Sequence, residues 1–523
     1  MAQQSPMQRA AALHAQGRFD EALAVCDQVL AGAPSDVNAL HLKGLLVLKK
    51  SDPHQAIELI SRALRAAPHV AVLHHNLGQA LRGAGMMTEA TESYRRAASL
   101  QPDYVNAHFH LGVTLQQIDR LGEAIDSLRQ AVRLKPDFAD AWAALGIALS
   151  RAGQYPQADD ALRRAVSLTP DDASKHYNLG IVQMTQRDFD AAEQSYRRAL
   201  ELGATSGAAM NLANVLGEQG RIEETIGLQR RAIELSPENA GIHSNLLLSL
   251  HYLPSFTPGQ ILDEHKAWAA RHASPERRRT NHDNDASPDR RLRIGYVSPD
   301  FCRHPVASFA ESVLVGHDRS QFEVFAYSAT PHKDRMTEHL QGIVDQWRDI
   351  AKTSDDDAAD MIVRDRIDIL VDLAGHTANN RAPLMARGAA PVQVTYLGYP
   401  GTTAVPAVQY RFTDALADPV GASESHCTEE LIRLPRTFLC YRPDPDAPDV
   451  SPTPSASRGF VTFGCFNNFA KVTDTMLGVW AEILHRTPGS RMILKARSLA
   501  STGARRRVEA AFSRAGVSMD RVE

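Results

Sequence analysis

Cysteine is scarce in this chain. Five residues in 523, Cys26, Cys302, Cys427, Cys440 and Cys465, lie far apart and form no C-x-x-C pair. That spacing excludes a disulfide framework and predicts reduced, buried or incidental thiols, as in a cytosolic protein. An excess of one charge is missing too. The 57 basic and 61 acidic side chains leave a net charge of −4, which gives no footing for nucleic-acid binding. No apolar run has the length of a signal-peptide core or a bilayer-spanning helix. Hydrophobic side chains still make up 43%, enough for packed cores in several domains. The absences together predict a soluble, cytoplasmic protein.

What is present first is a repeat. Aligned on itself at a period of 34 residues, the first half falls into register: Ala56, Ala90, Ala124, Ala158 and Ala192 form one series. Ala63, Ala97, Ala131, Ala165 and Ala199 form a second, and Pro34, Pro68, Pro102, Pro136 and Pro170 a third. Leu-Gly pairs at 77–78, 111–112, 145–146 and 179–180 complete the pattern. The pattern resembles the tetratricopeptide repeat, in which small residues let two helices approach and proline ends each unit. No proline stands at 204, and Gly220, Ala232 and Pro237 arrive one residue early. Seven repeats are expected from about residue 3 to 239, with a further helix from 240, giving a superhelix over 3–253. One position on successive first helices holds Asn76, His110, Ala144, Asn178, Asn211 and Asn245. Side-chain amides there both donate and accept, so they are candidates to hold an extended peptide by its backbone. Solvated helix positions fit the same pattern.

Pro254 and Pro258 interrupt the array, and residues 261–273 read as one more amphipathic helix. Residues 275–291 are charged and nearly free of apolar side chains, so 254–291 is expected to be a connector. From 292 strand-like and helix-like periodicities alternate, the signature of a parallel sheet flanked by helices. Strands are expected at 292–297, 322–328, 367–375 and 392–398, and a helix at 355–366. The first strand runs into a loop with His304-Pro305 and then a helix. A helix start offers free N–H groups and the positive end of its dipole to an anion. A histidine that merely caps the helix is the alternative. The loops carrying His304, His376-Thr377 and 398–403 fall on one edge of the sheet, where ligands bind in such folds. A proline- and serine-rich break at 441–459 separates this lobe (292–440) from a second (441–523). The second lobe has strands at 461–466 and 491–496, helices at 474–485 and 505–515, and Lys471 beside a strand-to-helix turn. Charge and free backbone N–H groups converge there, as a diphosphate would require.

The repeats followed by GYVSPDF..HPV.SF, DLAGHT, LGYPGTT and F.CFNN..K together resemble the O-linked N-acetylglucosamine transferase family, including its bacterial members. The resemblance implies a GT-B arrangement of two Rossmann-like lobes. It implies transfer of N-acetylglucosamine from UDP-GlcNAc to Ser or Thr of a polypeptide, with inversion and without a metal or other cofactor. His304 matches the family's active-site histidine; His376 and Thr377, with Gly398, Pro400, Gly401 and Thr402, match loops on the sugar and acceptor side. Lys471 matches the lysine on the donor diphosphate, and Asn468 stands where animal members have Gln. His376 replaces a Tyr of animal members, which leaves the sugar open. The family continues with further strands, so the second lobe is expected to be incomplete here. A repeat scaffold with an inactive or incomplete transferase, or a transferase using another nucleotide sugar, are the alternatives.

No Asp, Glu, His or Cys cluster at metal-ligand spacing occurs in the site loops. Excess EDTA is therefore expected to leave donor binding and transfer intact. Loss of transfer that a divalent ion restores would overturn this.

Overall fold

The computed structural model describes residues 5–203, 205–287, 289–443 and 446–523. Residue 3, where the first repeat was expected to start, lies outside these, as do position 204 and part of the proline-rich break. Among the described residues, fourteen helices from α1 (Pro6–Ala15) to α14 (Ile222–Leu235) follow one another as seven pairs. Each pair turns at one residue of positive φ: Gly17, Ser51, Gly85, Asp119, Gly153, Arg187 and Gly220, all between 62° and 78°. Glycine meets no steric penalty there, whereas Ser51, Asp119 and Arg187 carry a cost of roughly 1–2 kcal/mol each. The last step (220 − 187 = 33) is the slip in register.

The repeat series have packing causes. Ala56, Ala90, Ala124, Ala158 and Ala192 are fully buried where the paired helices meet. A Cβ on Gly78 would lie 2.7 Å from the Tyr94 ring, and one on Gly112 only 2.5 Å from Leu128. The proline carbonyls are used as well. His74, His108 and His176 donate from Nε2, and Trp142 from Nε1, to the carbonyls of Pro68, Pro102, Pro170 and Pro136 at 2.9–3.0 Å.

The chain divides into two compact units after Gly203. The repeat pattern therefore runs past the compact division, which falls well before the 254–291 connector. The reason is packing. Ile222 and Ile226 of α14, Leu246, Leu247 and Leu250 of α15 (Ala240–Leu250) and Trp268 of α16 (Pro258–His272) share one apolar core with the sheet residues Val297, Phe325, Tyr327 and Leu370. The seventh repeat, with α13 (Ser206–Glu218), thus belongs to the second unit.

That unit is built on seven parallel strands: β1 (Leu292–Ser298), β2 (Phe322–Ser328), β3 (Gln346–Asp349), β4 (Ile369–Asp372), β5 (Val392–Thr395), β6 (Tyr410–Asp414) and β7 (Glu430–Leu434), in the order β3-β2-β1-β4-β5-β6-β7. Alternate residues face opposite layers. Ile294 and Tyr296 pack under α17 (Pro305–Gly316) and α18 (Arg335–Ile343), while Val297 faces α19 (Asp355–Arg364) and the short α20 (Ala382–Met385). The order reverses between β1 and β4, so the His304 and His376 loops flank the switch point. Beyond α21 (Pro454–Arg458), β8 (Thr462–Cys465) and β9 (Arg491–Leu494) form a second parallel pair with α22 (Asp474–Arg486) and α23 (Thr502–Arg514) packed on it. The charged connector is strapped down. Arg279 N–H donates to the Arg387 carbonyl (2.8 Å), and Asn284 and Arg290 bond the Asp368 carboxylate at 2.5–2.7 Å. No described helix is long and apolar enough to cross a membrane.

Where α15 and α16 meet the sheet loops, the contact is made of histidines. His265 donates from Nδ1 to the Ile261 carbonyl (2.7 Å), so its Nε2 accepts from the Tyr399 hydroxyl (2.7 Å). His376 donates from Nε2 to the Thr403 carbonyl (2.8 Å), so its Nδ1 accepts from the Ser244 hydroxyl (3.0 Å). His243 and His272 pair at 3.2 Å. Burial holds His243, His251 and His265 down to about 4 and His376 to about 3, and neighbouring imidazoles add to it at His243, His251 and His376. Unfolded, each returns to about 6.5. The unfolded chain thus binds more protons between pH 6.5 and 4, and this part of the stability, complete above 6.5, is lost as pH falls through that window. Asp372, raised to about 6, and Asp300, also raised by burial, work in the opposite direction, but as two groups against four. Urea midpoints should accordingly be flat above pH 6.5 and fall between pH 6.5 and 4. A midpoint unchanged at pH 5 would show that the cluster does not titrate on unfolding.

Candidate functional site

At the carboxyl edge of the sheet the loop after β5 crosses the loop after β4 at closest approach. A Cβ on Gly398 would stand 2.0 Å from the Leu373 carbonyl oxygen, so only glycine fits. On the other strand's loop, Gly375 has φ +54°, and a Cβ there would lie 2.4 Å from Tyr399 Cβ. Leu397 adopts φ +75°, a left-handed conformation that a branched side chain takes only when its surroundings impose it. The glycines of DLAGHT and LGYPGTT are thus the two halves of one backbone crossing.

Beside that crossing opens a cavity of about 560 Å³. Thr377, Thr395 and residues 396–400 form one wall, Leu248 and Tyr252 at the end of α15 a second, and Arg411, Thr413 and Asp418 a third. Lys471 of the second lobe closes it. Lys471 ends a single 3₁₀ turn, Phe469–Lys471, and is exposed; no carboxylate among the described residues pairs with its ammonium. Arg411 is occupied: it pairs with Asp418 at 2.8 Å, both one-tenth exposed, and donates to the Pro400 carbonyl at 3.3 Å. Thr413 donates to the same Asp418 carboxylate. Arg411, Thr413 and Asp418 were missed in the sequence; the period-2 alternation of YRFTD is the signal that would have found β6.

His304 is the N-cap of α17. Its Nδ1 accepts the Val306 N–H at 3.3 Å, and its side chain is 44% exposed, 3.7 Å from Asp300. It shares the sheet edge with the cavity but does not line it. Behind it Asp372 is buried, accepting the N–H groups of Ala374 (3.1 Å) and Gly375 (2.8 Å), and burial pushes its carboxyl up to about 6. Asn468, exposed, caps the 3₁₀ turn through Ala470 N–H (3.1 Å). No group of three or more His, Cys, Asp or Glu side chains among the described residues is arranged to hold a metal ion.

The structure brings together Thr377, Gly398, Pro400 and Lys471, and it corrects other expectations. His376 has no exposed surface and both ring nitrogens are bonded, so it holds the loops to α15 instead of meeting substrate. Thr402 is 3% exposed and gives its hydroxyl to Glu429 at 2.5 Å; it braces the turn from within. Gly401 lies against the His251 ring, which a Cβ would approach to 2.9 Å. Asn76 is buried, its amide taken up by His41 (2.6 Å) and His75 (3.0 Å), so it offers nothing to a peptide. Asn178 is half-buried in the first unit, and Asn211 and Asn245 are half-buried in the second.

Comparison with known proteins agrees with this layout. Residues 262–442 match the model of glycosyl transferase family 41, and residues 7–28 that of the tetratricopeptide repeat. A protein of Solanum lycopersicum, described as a probable UDP-N-acetylglucosamine–peptide N-acetylglucosaminyltransferase SPINDLY, is 41% identical over 56% of this chain and 32% of its own length. Its Arabidopsis thaliana counterpart is 41% identical over 55% of this chain and 32% of its own. The chain thus spans about a third of the length of these curated relatives. A solved O-GlcNAc transferase of Thermobaculum terrenum is 34% identical with a TM-score of 0.67, the match covering 74% of this chain and 73% of that one. Matched over 73% of a solved O-GlcNAc transferase at 34% identity, and by the glycosyl transferase family 41 model over residues 262–442, the chain belongs to the O-linked N-acetylglucosamine transferase family.

Proposed function

We propose that the protein is an inverting glycosyltransferase that moves N-acetylglucosamine from UDP-GlcNAc to Ser or Thr hydroxyls of polypeptides, without a metal ion. The observation that carries this reading is Lys471, a cation with no carboxylate partner among the described residues, lining a cavity beside the Gly398 crossing. In the transfer, the acceptor oxygen forms a bond to the anomeric carbon as the bond to the diphosphate breaks. The diphosphate leaves with the electron pair. The Lys471 ammonium beside it, together with backbone N–H groups at the start of α22, stabilises charge that grows only as the bond breaks. Arg411, neutralised by Asp418, contributes shape to the wall and not net charge. The relatives' descriptions as peptide N-acetylglucosaminyltransferases support the same donor and acceptor.

UDP-GlcNAc is expected to raise the unfolding midpoint of the protein, because a ligand of the folded state stabilises it. Replacing Lys471 by Ala should weaken UDP binding at least about tenfold by calorimetry, the scale of one charge-assisted contact. Unchanged affinity removes Lys471 from the donor site.

On the acceptor side, Asn211 of α13 and Asn245 of α15 remain candidates to hold polypeptide backbone. Double replacement by Ala should reduce transfer to whole proteins much more than transfer to short peptides. An equal fall for both acceptors, or none, would reduce the two amides to ordinary helix positions.

A further inference from the structure

The loop between β1 and α17 is fixed more firmly than a surface loop requires. Ser298 Oγ accepts the Asp300 N–H at 3.0 Å, the Thr337 hydroxyl donates to the Phe301 carbonyl at 2.7 Å, and Asp334 accepts the Arg303 N–H at 2.7 Å. What this holds in place is one carboxylate beside one imidazole: Asp300 Oδ2 lies 3.7 Å from His304 Nδ1, with the Asp300 side chain 17% exposed.

We propose that Asp300 is a positioning residue for His304, deciding whether the outward ring nitrogen gives or takes a proton. The inference rests on the transferase reading and deepens it. In the structure His304 Nδ1 accepts from Val306 N–H, so a neutral ring carries its proton on Nε2. The nitrogen facing solvent is then a donor, suited to hold an oxygen but unable to accept a proton. For Nε2 to accept the acceptor hydroxyl's proton, the ring proton must sit on Nδ1. An Nδ1–H cannot face the Val306 N–H, since two donors would meet. Asp300 is the acceptor that can receive it, after a ring movement of about an ångström to reach normal hydrogen-bond distance. The hydroxyl proton then passes to Nε2 as its oxygen bonds to the anomeric carbon and the diphosphate departs with the electron pair. The resulting imidazolium is held by the Asp300 carboxylate until it releases the proton to solvent.

The other charged groups around the pair are consistent with this. Asp372, from the adjoining strand β4, faces Asp300, and burial raises both carboxyls above their ordinary range, with His304 drawing Asp300 back down. Asp334, from α18, is spent on the Arg303 backbone. Asp300 is therefore the carboxylate whose charge is tied to that of the imidazole.

The test is kinetic, in the full chain, with a protein acceptor and UDP-GlcNAc. Asp300→Ala should lower kcat at least about tenfold, the low end of general acid–base contributions. The KM for donor, UDP affinity and the unfolding midpoint should stay at wild-type values, and Asp300→Asn, whose oxygen still accepts from Nδ1–H, should fall in between. A kcat within about twofold of wild type in Asp300→Ala overturns the inference, since a lost interaction of this kind must appear in kcat. So does a fall in UDP affinity and unfolding midpoint that parallels kcat, the mark of a merely structural carboxylate. A wild-type protein that transfers no sugar overturns the transferase reading and this inference with it, whereas an active wild type matched by Asp300→Ala overturns the inference alone.

Discussion

The contact of Gly398 with the Leu373 carbonyl is the constraint on which the rest of the site depends. Two loops leaving adjacent parallel strands ordinarily diverge, because each carries side chains. Here they touch backbone to backbone, which glycine alone permits. The approach forces Leu397 into a left-handed conformation and seats Tyr399 on Gly375. From Tyr399 outward each next group has its place: the Tyr399 hydroxyl meets His265, His376 meets Thr403, and Ser244 meets His376. The cavity is the space left beside the crossing. Strain of this kind persists where neighbouring contacts over-determine the backbone, as they do here.

The histidine layer fixes how α15 and α16 seat on the loops of the seven-stranded sheet, while the apolar contacts of Ile222 and Ile226 tie the seventh repeat to the same core. An all-apolar joint would bury the same area but would accept several registers. Imidazoles that donate on one side and accept on the other bond only partners of the right polarity at the right place. Each is cheap to bury because it is neutral, whereas an ion pair in the same position would carry a desolvation penalty of several kcal/mol per ion. The joint is thereby specific and, by the same chemistry, sensitive to acid.

The 34-residue period was legible because every repeat buries the same small residues against the same partners. Strands β1, β2, β4, β5, β8 and β9 were legible as short β-rich runs between turns. The edge strands QWRD and ELIRL were not, since each is short and carries charges among its apolar residues, and YRFTD offered only the brief alternation of Tyr410 and Phe412. In the site, what could be read was backbone and charge: Gly398, whose motif reports a crossing, and Lys471, whose neighbours report a turn. What could not be read was the direction in which a polar loop residue points. His376, Thr402 and Asn76 look like solvent-facing candidates in one dimension, but each turns inward to bond a partner remote in sequence or hidden in a neighbouring helix. Arg411 and Asp418 failed to show for the same reason, since a buried pair is a property of the fold.

Helix α15 belongs to two structures at once. By sequence register it is the first helix of a further repeat, and Asn245 occupies the position that recurs along the array. By packing it is a wall of the cavity, through Leu248 and Tyr252, and a support of the crossing, through Ser244. At about 1.5 Å of rise per residue, the three residues from Asn245 to Leu248 cover roughly 4.5 Å. Any polypeptide held at Asn245 would therefore run within a few residues of the cavity mouth, with no linker or hinge between the element that holds it and the element that lines the cavity. The recurring Asn245 position and a wall of the cavity are thus carried by one helix. A substitution that tilts α15 should disturb both together, while one confined to Lys471 should disturb the donor alone.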